Sequence, residues 1–357
     1  MNFEASQAQA VARFTDPLIA QLKRHPKRVV FCDGEDLRVL RVAERLVKAE
    51  AVVPMLLGDA ARIRAMADEH GISLTFVKVL EPRTAADFPL FCQRYEKILK
   101  YRGSVADDIE SVVSKPAVFG SLMIQYGQAD AMVGGNASMP TALFRALIQS
   151  IKPLPDVPKF FGVTVLSAPH LDHFGGDALL FLADTGMIPE PTTDQLAAMA
   201  IETGKLARHM LGRRPRVALL SHSTKGSAGT GPARKVAAAA ALARDKATED
   251  GLDLWIEGEV QADVALDPEA AEIKLAKAED RASADVLVFP NLDAAHISLK
   301  LLQHCAGAVN FGPLVVGLAR PVAQVPRTVS EDSLFGTAAA VAVEAIKYHH
   351  LYPDGEV

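Results

Sequence analysis

The sequence predicts an α/β fold with mostly parallel sheet, organised as one or two domains. Short apolar segments of strand length alternate with longer amphipathic or alanine-rich segments, as expected of parallel strands joined by crossover helices. The 357 residues exceed the size of one ordinary domain, and 49% of them are hydrophobic, which is enough for a large core. Three prolines within residues 152–158 mark the best candidate for a linker.

The first half of the chain begins with a predicted amphipathic helix that ends near Pro26. The predicted elements are a helix over 5–24, a strand over 29–32, a helix over 36–49, strands over 52–57, 74–79 and 130–134, and a helix over 140–151. The acidic turn over 33–36 follows the first strand, at the end of a parallel strand where ligands bind. Capping of the next helix is favoured over a functional role for these acids.

The second half continues the alternation. Strands are predicted over 160–167, 178–183, 217–220 and 285–291, and a further short strand is predicted to end at 257–259. Helices are predicted over 195–211, 233–243 and 293–304. Thr193 or Asp194 is predicted to cap the first of these helices, and Ser330 to cap a final helix that docks against the core. The loop carrying His170, Asp172 and His173 is predicted to be a solvated hairpin loop, in preference to a metal site.

The stretch over 216–236 is predicted to bind an anion. A buried strand leads into a loop of Ser, Thr, Lys and Gly, and Pro232 then suits the first turn of a helix. Glycines let the backbone approach a ligand, and the helix N-terminus presents unpaired N–H groups. The candidate ligands of a phosphate or acyl phosphate are Ser223, Thr224, Lys225, Gly226 and Ser227. The loop matches neither the P-loop motif GxxxxGK[ST] nor the dinucleotide-binding motif GxGxxG. A plain strand-to-helix connection remains the alternative.

Arg145 is a second candidate for phosphate binding. It lies in the helix that follows the glycine-ended strand over 130–134, which places it at the ligand end of a parallel sheet. A solvated helix face is the alternative interpretation of this arginine.

Composition excludes several classes of protein. The net charge of −5 and the lack of a basic run argue against nucleic acid as a partner. No apolar run reaches 18 residues and the N-terminus lacks a signal-peptide core, so a cytoplasmic protein without membrane attachment is expected. Cys32, Cys92 and Cys305 lie far apart and are expected to remain reduced. No bound metal is expected.

Seven stretches, in order over most of the chain, carry a resemblance to a known family. They are RVVFCDGEDLRVL (28–40), DAMVGG (130–135), FLADTGMIPEPTTDQL (181–196), LLSHSTKGSA (219–228), IEGEVQADVAL (256–266), VFPNLDAAHISLK (288–300) and GPLVVGLARPV (312–322). Together they resemble the phosphate acetyl/butyryl transferases, which include phosphotransacetylase and the phosphotransacetylase-like domain of hybrid malic enzymes.

The resemblance implies an acyltransferase that moves an acetyl or short acyl group between acyl phosphate and coenzyme A. It also implies two α/β domains of the isocitrate/isopropylmalate dehydrogenase-like type, with the active site in the interdomain cleft. The first domain is expected over 1–150 plus 314–357, and the second over 151–313. A homodimer is expected, and coenzyme A or acetyl-CoA is expected as substrate or ligand, with no tightly bound cofactor.

The resemblance also assigns roles to individual residues. Arg327 and Ser223 are the candidate catalytic residues, and Asp332 is the candidate acceptor of the thiol proton. Asn291 and Lys300 are the candidates for contact with coenzyme A.

Two catalytic positions differ from the family pattern. Pro326 replaces a serine that precedes the catalytic arginine, and Ser333 replaces an aspartate proposed to take the thiol proton. The alternative function is therefore a catalytically weak or inactive acetyl-CoA-binding regulatory protein.

Overall fold

The computed structural model of the chain describes residues 3–105, 107–171, 174–275 and 283–346. The chain divides into two compact units, which we call unit one and unit two. Unit one comprises Met1–Asp16 and Pro155–Gly317, and unit two comprises Pro17–Leu154 and Leu318–Val357. Each unit has its own strands and helices.

Strands and helices alternate over most of the chain, as predicted. The strands are β1 (Lys27–Phe31), β2 (Val52–Leu57), β3 (Lys78–Leu80), β4 (Ala131–Gly134), β5 (Phe161–Ser167), β6 (Leu179–Ala183), β7 (Arg216–Leu220), β8 (Trp255–Val260), β9 (Val286–Val288), β10 (Val309–Val316) and β11 (Val322–Gln324). The helices are α1 (Phe3–Arg24), α2 (Leu37–Lys48), α3 (Ala60–Glu69), α4 (Phe88–Tyr101), α5 (Ile109–Val113), α6 (Pro116–Gln125), α7 (Pro140–Ser150), α8 (Thr193–Leu211), α9 (Gly231–Glu249), α10 (Ala262–Leu266), α11 (Pro268–Lys274), α12 (Leu292–Cys305) and α13 (Glu331–Glu344).

Unit two contains parallel strands in the order β3-β2-β1-β4-β11. In the middle of this sheet, Val30 of β1 is level with Met55 on one side and with Met132 on the other. Because these strands run in one direction, their carboxyl ends lie at one edge of the sheet. The segments that follow β1, β4 and β11 therefore leave the sheet side by side.

The strand predicted over 74–79 is displaced along the sequence. Val77 N–H donates to the Leu74 carbonyl at 3.0 Å, and Phe76 has a φ of 63°, so residues 74–77 form a turn. The strand itself is Lys78–Leu80. Its apolar residues are too few to distinguish it from the turn by pattern alone.

Unit one contains strands in the order β10-β5-β6-β9-β7-β8. β6, β9, β7 and β8 are parallel, whereas β5 is antiparallel to both of its neighbours, β6 and β10. The antiparallel pair β5–β6 confirms the predicted hairpin. The loops after β6, β9, β7 and β8 leave the sheet at one edge, and one of them is the predicted anion-binding loop.

Several helices begin at a side chain that accepts a hydrogen bond from a backbone N–H group. Asp36 accepts the N–H of Arg38 at the start of α2, which confirms the capping interpretation of the acidic turn. Ser330 caps α13, as predicted. The predicted cap of α8 at Thr193 or Asp194 is wrong. Thr192 is the cap, because its hydroxyl accepts from Gln195 N while the Gln195 side chain accepts from Thr192 N.

The final helix of unit two is buried from Ser333 to Glu344, which confirms its predicted docking against the core. Glu344 ends this helix, and its Oε2 atom has no hydrogen-bond partner among the described residues. Burial raises the pKa of this carboxyl to about 8. The carboxyl is therefore protonated in the folded protein at neutral pH. Among the described helices, none is both long and apolar enough to cross a lipid bilayer.

Glu344→Gln is expected to stabilise the protein at pH 8 and to change its stability little at pH 5. Above the ordinary pKa of 4.5, an unfolded chain releases the proton that the folded chain retains up to about pH 8. The wild-type free energy of unfolding therefore falls as pH rises through this window. Glutamine removes that dependence. Urea unfolding at both pH values checks the result, and equal pH slopes for the two proteins would contradict it.

Candidate active site

The predicted strand, loop and helix of the anion site are present in unit one. β7 ends at Leu220, and α9 begins at Gly231 with Pro232 in its first turn. Thr230 caps α9 by accepting the N–H of Ala233. The intervening loop over 221–230 therefore runs from the carboxyl end of a parallel strand to a helix N-terminus, which is the arrangement used for anions.

A carboxylate of the chain itself occupies the donors of this loop. Glu259 lies near the end of β8, the strand beside β7, and is 4% exposed. Its Oε1 accepts the Ser223 hydroxyl at 3.0 Å and the Gly226 N–H at 2.6 Å. Burial alone would raise the pKa of Glu259. The hydrogen bonds from the N–H groups of Gly226 and Glu259 and from the Ser223 hydroxyl, together with the charge of Lys225, outweigh burial and leave the pKa below its ordinary value. The loop thus binds an anionic oxygen with a hydroxyl and a backbone N–H.

Ser223 has no exposed surface in this arrangement. Besides donating to Glu259, its hydroxyl accepts the N–H of Ala228 at 3.0 Å. Its Oγ also lies 3.4 Å from that of Ser227. Ser223 therefore fixes the shape of the loop from inside.

Thr224 fixes the other side of the loop. Its N–H donates to the Ser227 hydroxyl at 3.0 Å, and its own hydroxyl accepts the N–H of Gln261 at 3.0 Å. Thr224 is itself buried, whereas Lys225, Gly226 and Ser227 are exposed. The five predicted ligands thus belong to one compact turn, with two residues inside and three at the surface.

Lys225 stands at the tip of the turn with a φ of 48°, and Gly226 follows with a φ of 83°. Such left-handed conformations are uncommon for residues other than glycine. The backbone N–H of Lys225 donates to the Glu259 carbonyl at 3.1 Å. Its ammonium group forms an ion pair with Glu257 and lies 3.4 Å from the Gly258 carbonyl oxygen.

Arg145 and Arg327 both lie at the carboxyl edge of the sheet of unit two. Arg145 is an exposed residue of α7, the helix after β4, and Arg327 is an exposed residue that follows β11. No described residue lies within hydrogen-bond or ion-pair distance of either guanidinium group. Both are therefore available to bind an anion.

The backbone that carries Arg327 is held by Arg38, the second residue of α2. The Arg38 guanidinium donates to the carbonyls of Arg327 and Val329, each at 2.8 Å. It also forms an ion pair with Asp36 at 2.6 Å and donates to the Asn136 carbonyl at 3.1 Å. One guanidinium thus joins the segments that follow β1, β4 and β11.

Glu259 and Arg38 are not among the predicted site residues. Both lie inside stretches that carry the family resemblance, IEGEVQADVAL and RVVFCDGEDLRVL. Their membership of those stretches is the only sequence signal for them. Glu259 contacts Ser223 and Gly226, and Arg38 contacts Asn136, Arg327 and Val329 besides its neighbour Asp36, so most of these partners lie far away in the chain.

Asp332 is the second residue of α13, and its carboxylate forms an ion pair with Arg45 at 2.9 Å. It would have to leave this ion pair to accept a proton from a thiol. Ser333, in the position of the family aspartate, is buried and shares hydrogen bonds with Ser330 at the helix cap. The role predicted for Asp332 stays a prediction.

The two candidate coenzyme residues lie on one helix of unit one. Asn291 caps α12 by accepting the N–H of Ala294 at 3.0 Å, and it follows β9 at the same sheet edge as the anion-binding loop. Lys300 lies further along α12, where its ammonium group donates to Gln303 at 3.1 Å. The two residues are more than two helical turns apart.

The described residues contain no group of three or more His, Cys, Asp or Glu side chains that would suit a metal ion. His170 instead forms hydrogen bonds with the Ala306 carbonyl and the Ser6 hydroxyl, at 2.7 and 3.2 Å. Asp172 and His173 lie outside the described residues.

Comparison with known proteins identifies the family. A family model described as "Phosphate acetyl/butaryl transferase" matches residues 13–342. A phosphate acetyltransferase of Clostridium acetobutylicum is 32% identical over 323 residues, which cover 90% of this chain and 96% of the relative. The solved structure of EutD phosphotransacetylase from Staphylococcus aureus is 30% identical, with a TM-score of 0.84, and the match covers 95% of this chain and 99% of that one.

A more distant likeness concerns the fold alone. The 4-hydroxythreonine-4-phosphate dehydrogenase of Klebsiella pneumoniae is 16% identical with a TM-score of 0.50, covering 91% of this chain and 99% of that one. The predicted dehydrogenase-like α/β fold is thereby confirmed. The chain belongs to the phosphate acetyl/butyryl transferase family.

Proposed function

We propose that this protein is a phosphate acyltransferase that moves an acetyl or other short acyl group between acyl phosphate and coenzyme A. The observation that carries the proposal is the loop over 221–230. It holds an anionic oxygen with the Ser223 hydroxyl and the Gly226 N–H, in a chain that matches the family over most of its length. The relative from Clostridium acetobutylicum is a phosphate acetyltransferase and the solved structure from Staphylococcus aureus is a phosphotransacetylase, which favours this function over a non-catalytic acetyl-CoA-binding protein.

The reaction joins the coenzyme thiol to the acyl group. The thiol sulfur attacks the acyl carbon, a tetrahedral oxyanion forms, and the bond between that carbon and the phosphate oxygen breaks. Phosphate leaves, the thiol proton passes to a base, and a thioester remains. Two kinds of group therefore favour the reaction: donors for the oxyanion and the leaving phosphate, and an acceptor for the thiol proton.

The proposed roles follow from these needs. Lys225, Gly226 and Ser227 lie at the surface of the loop and are proposed to bind the phosphoryl oxygens, with Ser223 and Thr224 holding the loop in shape. In this proposal phosphate replaces Glu259 at the Gly226 N–H and Glu257 at the Lys225 ammonium. One donor aimed at developing charge contributes about 3 kcal/mol at a transition state. Much of the remaining acceleration comes from holding two bound substrates in place.

Arg145 and Arg327 are proposed as further phosphate ligands, as the family resemblance implies. A guanidinium fork suits two phosphate oxygens at once. Asp332 is proposed as the proton acceptor, after release from Arg45. Asn291 and Lys300 are proposed to contact coenzyme A, which binds and leaves as a substrate. Loss of a positioned general base lowers the rate about 100- to 10,000-fold. An enzyme in which Ser333 replaces the family aspartate would therefore still have measurable activity.

The proposal is tested by measuring phosphate released from acetyl phosphate and from butyryl phosphate, with and without coenzyme A. We expect release that depends on coenzyme A, with thioester formed in equal amount. Calorimetric titration with acetyl-CoA is run in parallel. Binding of acetyl-CoA without turnover of either acyl phosphate would refute the transferase and favour the regulatory protein.

We further propose that the protein is a cytoplasmic homodimer. The support is the family to which the chain belongs. Sedimentation equilibrium measures the subunit number, and cell fractionation measures the compartment.

A further inference from the structure

A cavity of about 750 Å³ lies in unit one beside the outer strand of its sheet. It is bounded by the last turns of α9, by the turn that follows them, and by the start of β8. Its volume is within the range of small-molecule sites. The side chains that matter for its chemistry are Arg214, Lys225, Arg244, Leu252, Trp255 and Glu257.

The cavity has an excess of positive charge. Three cations line it, against the single carboxylate of Glu257. Two of them converge on one atom, because the Lys225 ammonium and the Arg244 guanidinium lie 3.4 and 3.5 Å from the Gly258 carbonyl oxygen. Two cations this close to one oxygen form a site for a phosphate, which offers several charged oxygens in place of one neutral oxygen.

Arg244 is the cation with the weakest existing contacts. It is partly buried on α9, and its hydrogen bond to Gly258 is at the long limit for such a bond. No carboxylate of the described residues lies within ion-pair distance of it. Arg214, by comparison, is paired with Asp253 at 3.4 Å. A partly buried guanidinium without a counter-ion favours an anionic ligand.

An aromatic ring stands in the same cavity. Trp255 is partly exposed, and the guanidinium groups of Arg214 and Arg216 lie 5.2 and 5.4 Å from its ring centre. Leu252, Leu254 and Ile256 add apolar surface beside it. Indole and guanidinium faces both stack on flat heterocyclic rings.

We propose that this cavity binds a nucleoside phosphate, with its phosphate at Lys225 and Arg244 and its base against Trp255 and the neighbouring apolar side chains. The cavity has a cationic part around Lys225 and Arg244 and an aromatic part around Trp255, and a nucleoside phosphate suits both. Inorganic phosphate would leave the aromatic part of the cavity empty, and an apolar ligand would leave Arg244 without a counter-ion among the described residues. Lys225 is shared with the proposed phosphoryl-binding loop, but binding of a nucleoside phosphate is measured without turnover. Two sources share the required chemistry, a free nucleotide and the adenosine phosphate portion of coenzyme A.

The chain offers a direct probe, because Trp255 is its single tryptophan. The full-length protein is titrated with ADP, adenosine, inorganic phosphate and coenzyme A while indole emission is recorded, with excitation at wavelengths that adenine does not absorb. Calorimetry under the same conditions measures affinity independently of absorbance. We expect ADP to change the emission saturably. Adenosine and phosphate alone should each bind at least about tenfold more weakly.

Variants locate the site. Arg244→Ala should weaken ADP binding at least about tenfold, since a charge-assisted contact is lost. Lys246→Ala is the matched control, because it removes the same charge from the same helix about 200° away around its axis, and it should bind ADP as the wild type does. Circular dichroism confirms that both variants are folded, and Arg244→Lys replaces the alanine variant if that one is not.

The outcomes separate clearly. Coenzyme A that displaces ADP identifies the coenzyme as the source, and ADP that binds undiminished beside saturating coenzyme A identifies a free nucleotide. Both support the nucleoside phosphate site. The proposal is overturned if ADP does not bind saturably, if phosphate alone binds as tightly as ADP, or if the two variants behave alike. None of these results depends on turnover, so a failed transferase assay leaves this test intact.

Discussion

Arg327→Ala is expected to lower the turnover of acyl phosphate at least about tenfold, and about 100-fold if the guanidinium contacts the reacting phosphoryl oxygens. The free energy of unfolding should change by less than about 0.5 kcal/mol. The reason for this contrast is local. The side chain of Arg327 is exposed and contacts no described carboxylate, so its removal leaves no buried charge behind.

The position of Arg327 does not depend on its own side chain. Arg38 binds the carbonyl oxygens of Arg327 and Val329, and it is itself held by Asp36 at the cap of α2. These contacts survive in the alanine variant. A loss of activity can therefore be assigned to the missing guanidinium, since the backbone that carries it stays in place.

Steady-state measurement of phosphate release with coenzyme A in excess checks this prediction. Arg327→Lys keeps the charge but loses the planar fork, so its activity should lie between those of the wild type and the alanine variant. Thr328→Ala is the matched control, an exposed neighbour in the same segment. A fall in kcat would indicate contact made in the transition state, whereas a rise in KM alone would indicate substrate binding. Wild-type kinetics in Arg327→Ala would refute the assignment.

Local patterns were sufficient to predict the order of the elements. The apolar run before Ser221 and the alanine-rich run after Pro232 are each contained in one short stretch, and β7 and α9 follow them. Helix caps were predictable where a single side chain forms the cap, as that of Ser330 does at the start of α13. The cap of α8 was placed one or two residues late because it depends on a reciprocal contact between Thr192 and Gln195.

Contacts between loops could not be predicted in this way. Ser223 and Glu259 meet because β7 and β8 are neighbouring parallel strands, and strand order is a property of the whole sheet. Nothing in the loop itself indicates that its donors hold a carboxylate of the same chain. For the same reason, the sequence could not show that Arg38 binds the backbone beside Arg327. The contacts that shape the site join residues of different segments, whereas a sequence motif describes the residues of one segment.

Ser223→Ala is expected to lower turnover at least about tenfold and also to lower the free energy of unfolding by about 1–3 kcal/mol. Ser223 is buried and donates to Glu259, so alanine leaves a buried carboxylate with one donor fewer. It also removes the acceptor of the Ala228 N–H. The loop then loses the shape in which Gly226 and Ser227 present their donors. This double effect distinguishes Ser223 from Arg327, whose replacement should affect activity alone.

A double-mutant cycle with Glu259→Gln identifies the cause of the lost stability. If the uncompensated charge is responsible, Ser223→Ala should cost less in the Glu259→Gln background than in the wild type. Urea unfolding of the four proteins measures this, and additive costs would contradict the explanation.

The pH dependence gives an independent check on the same pair. Hydrogen bonds hold the pKa of Glu259 below its ordinary value of 4.5, so its ionised form stabilises the fold above that value, and this stabilisation is lost as pH falls through the lower folded pKa. Ser223→Ala removes one of those hydrogen bonds. The difference in unfolding free energy between wild type and variant should therefore be widest near neutral pH and narrow in acid, where the carboxyl is protonated in both proteins. A difference that stays constant down to the acid limit would mean that Ser223 stabilises the loop without help from the charge of Glu259.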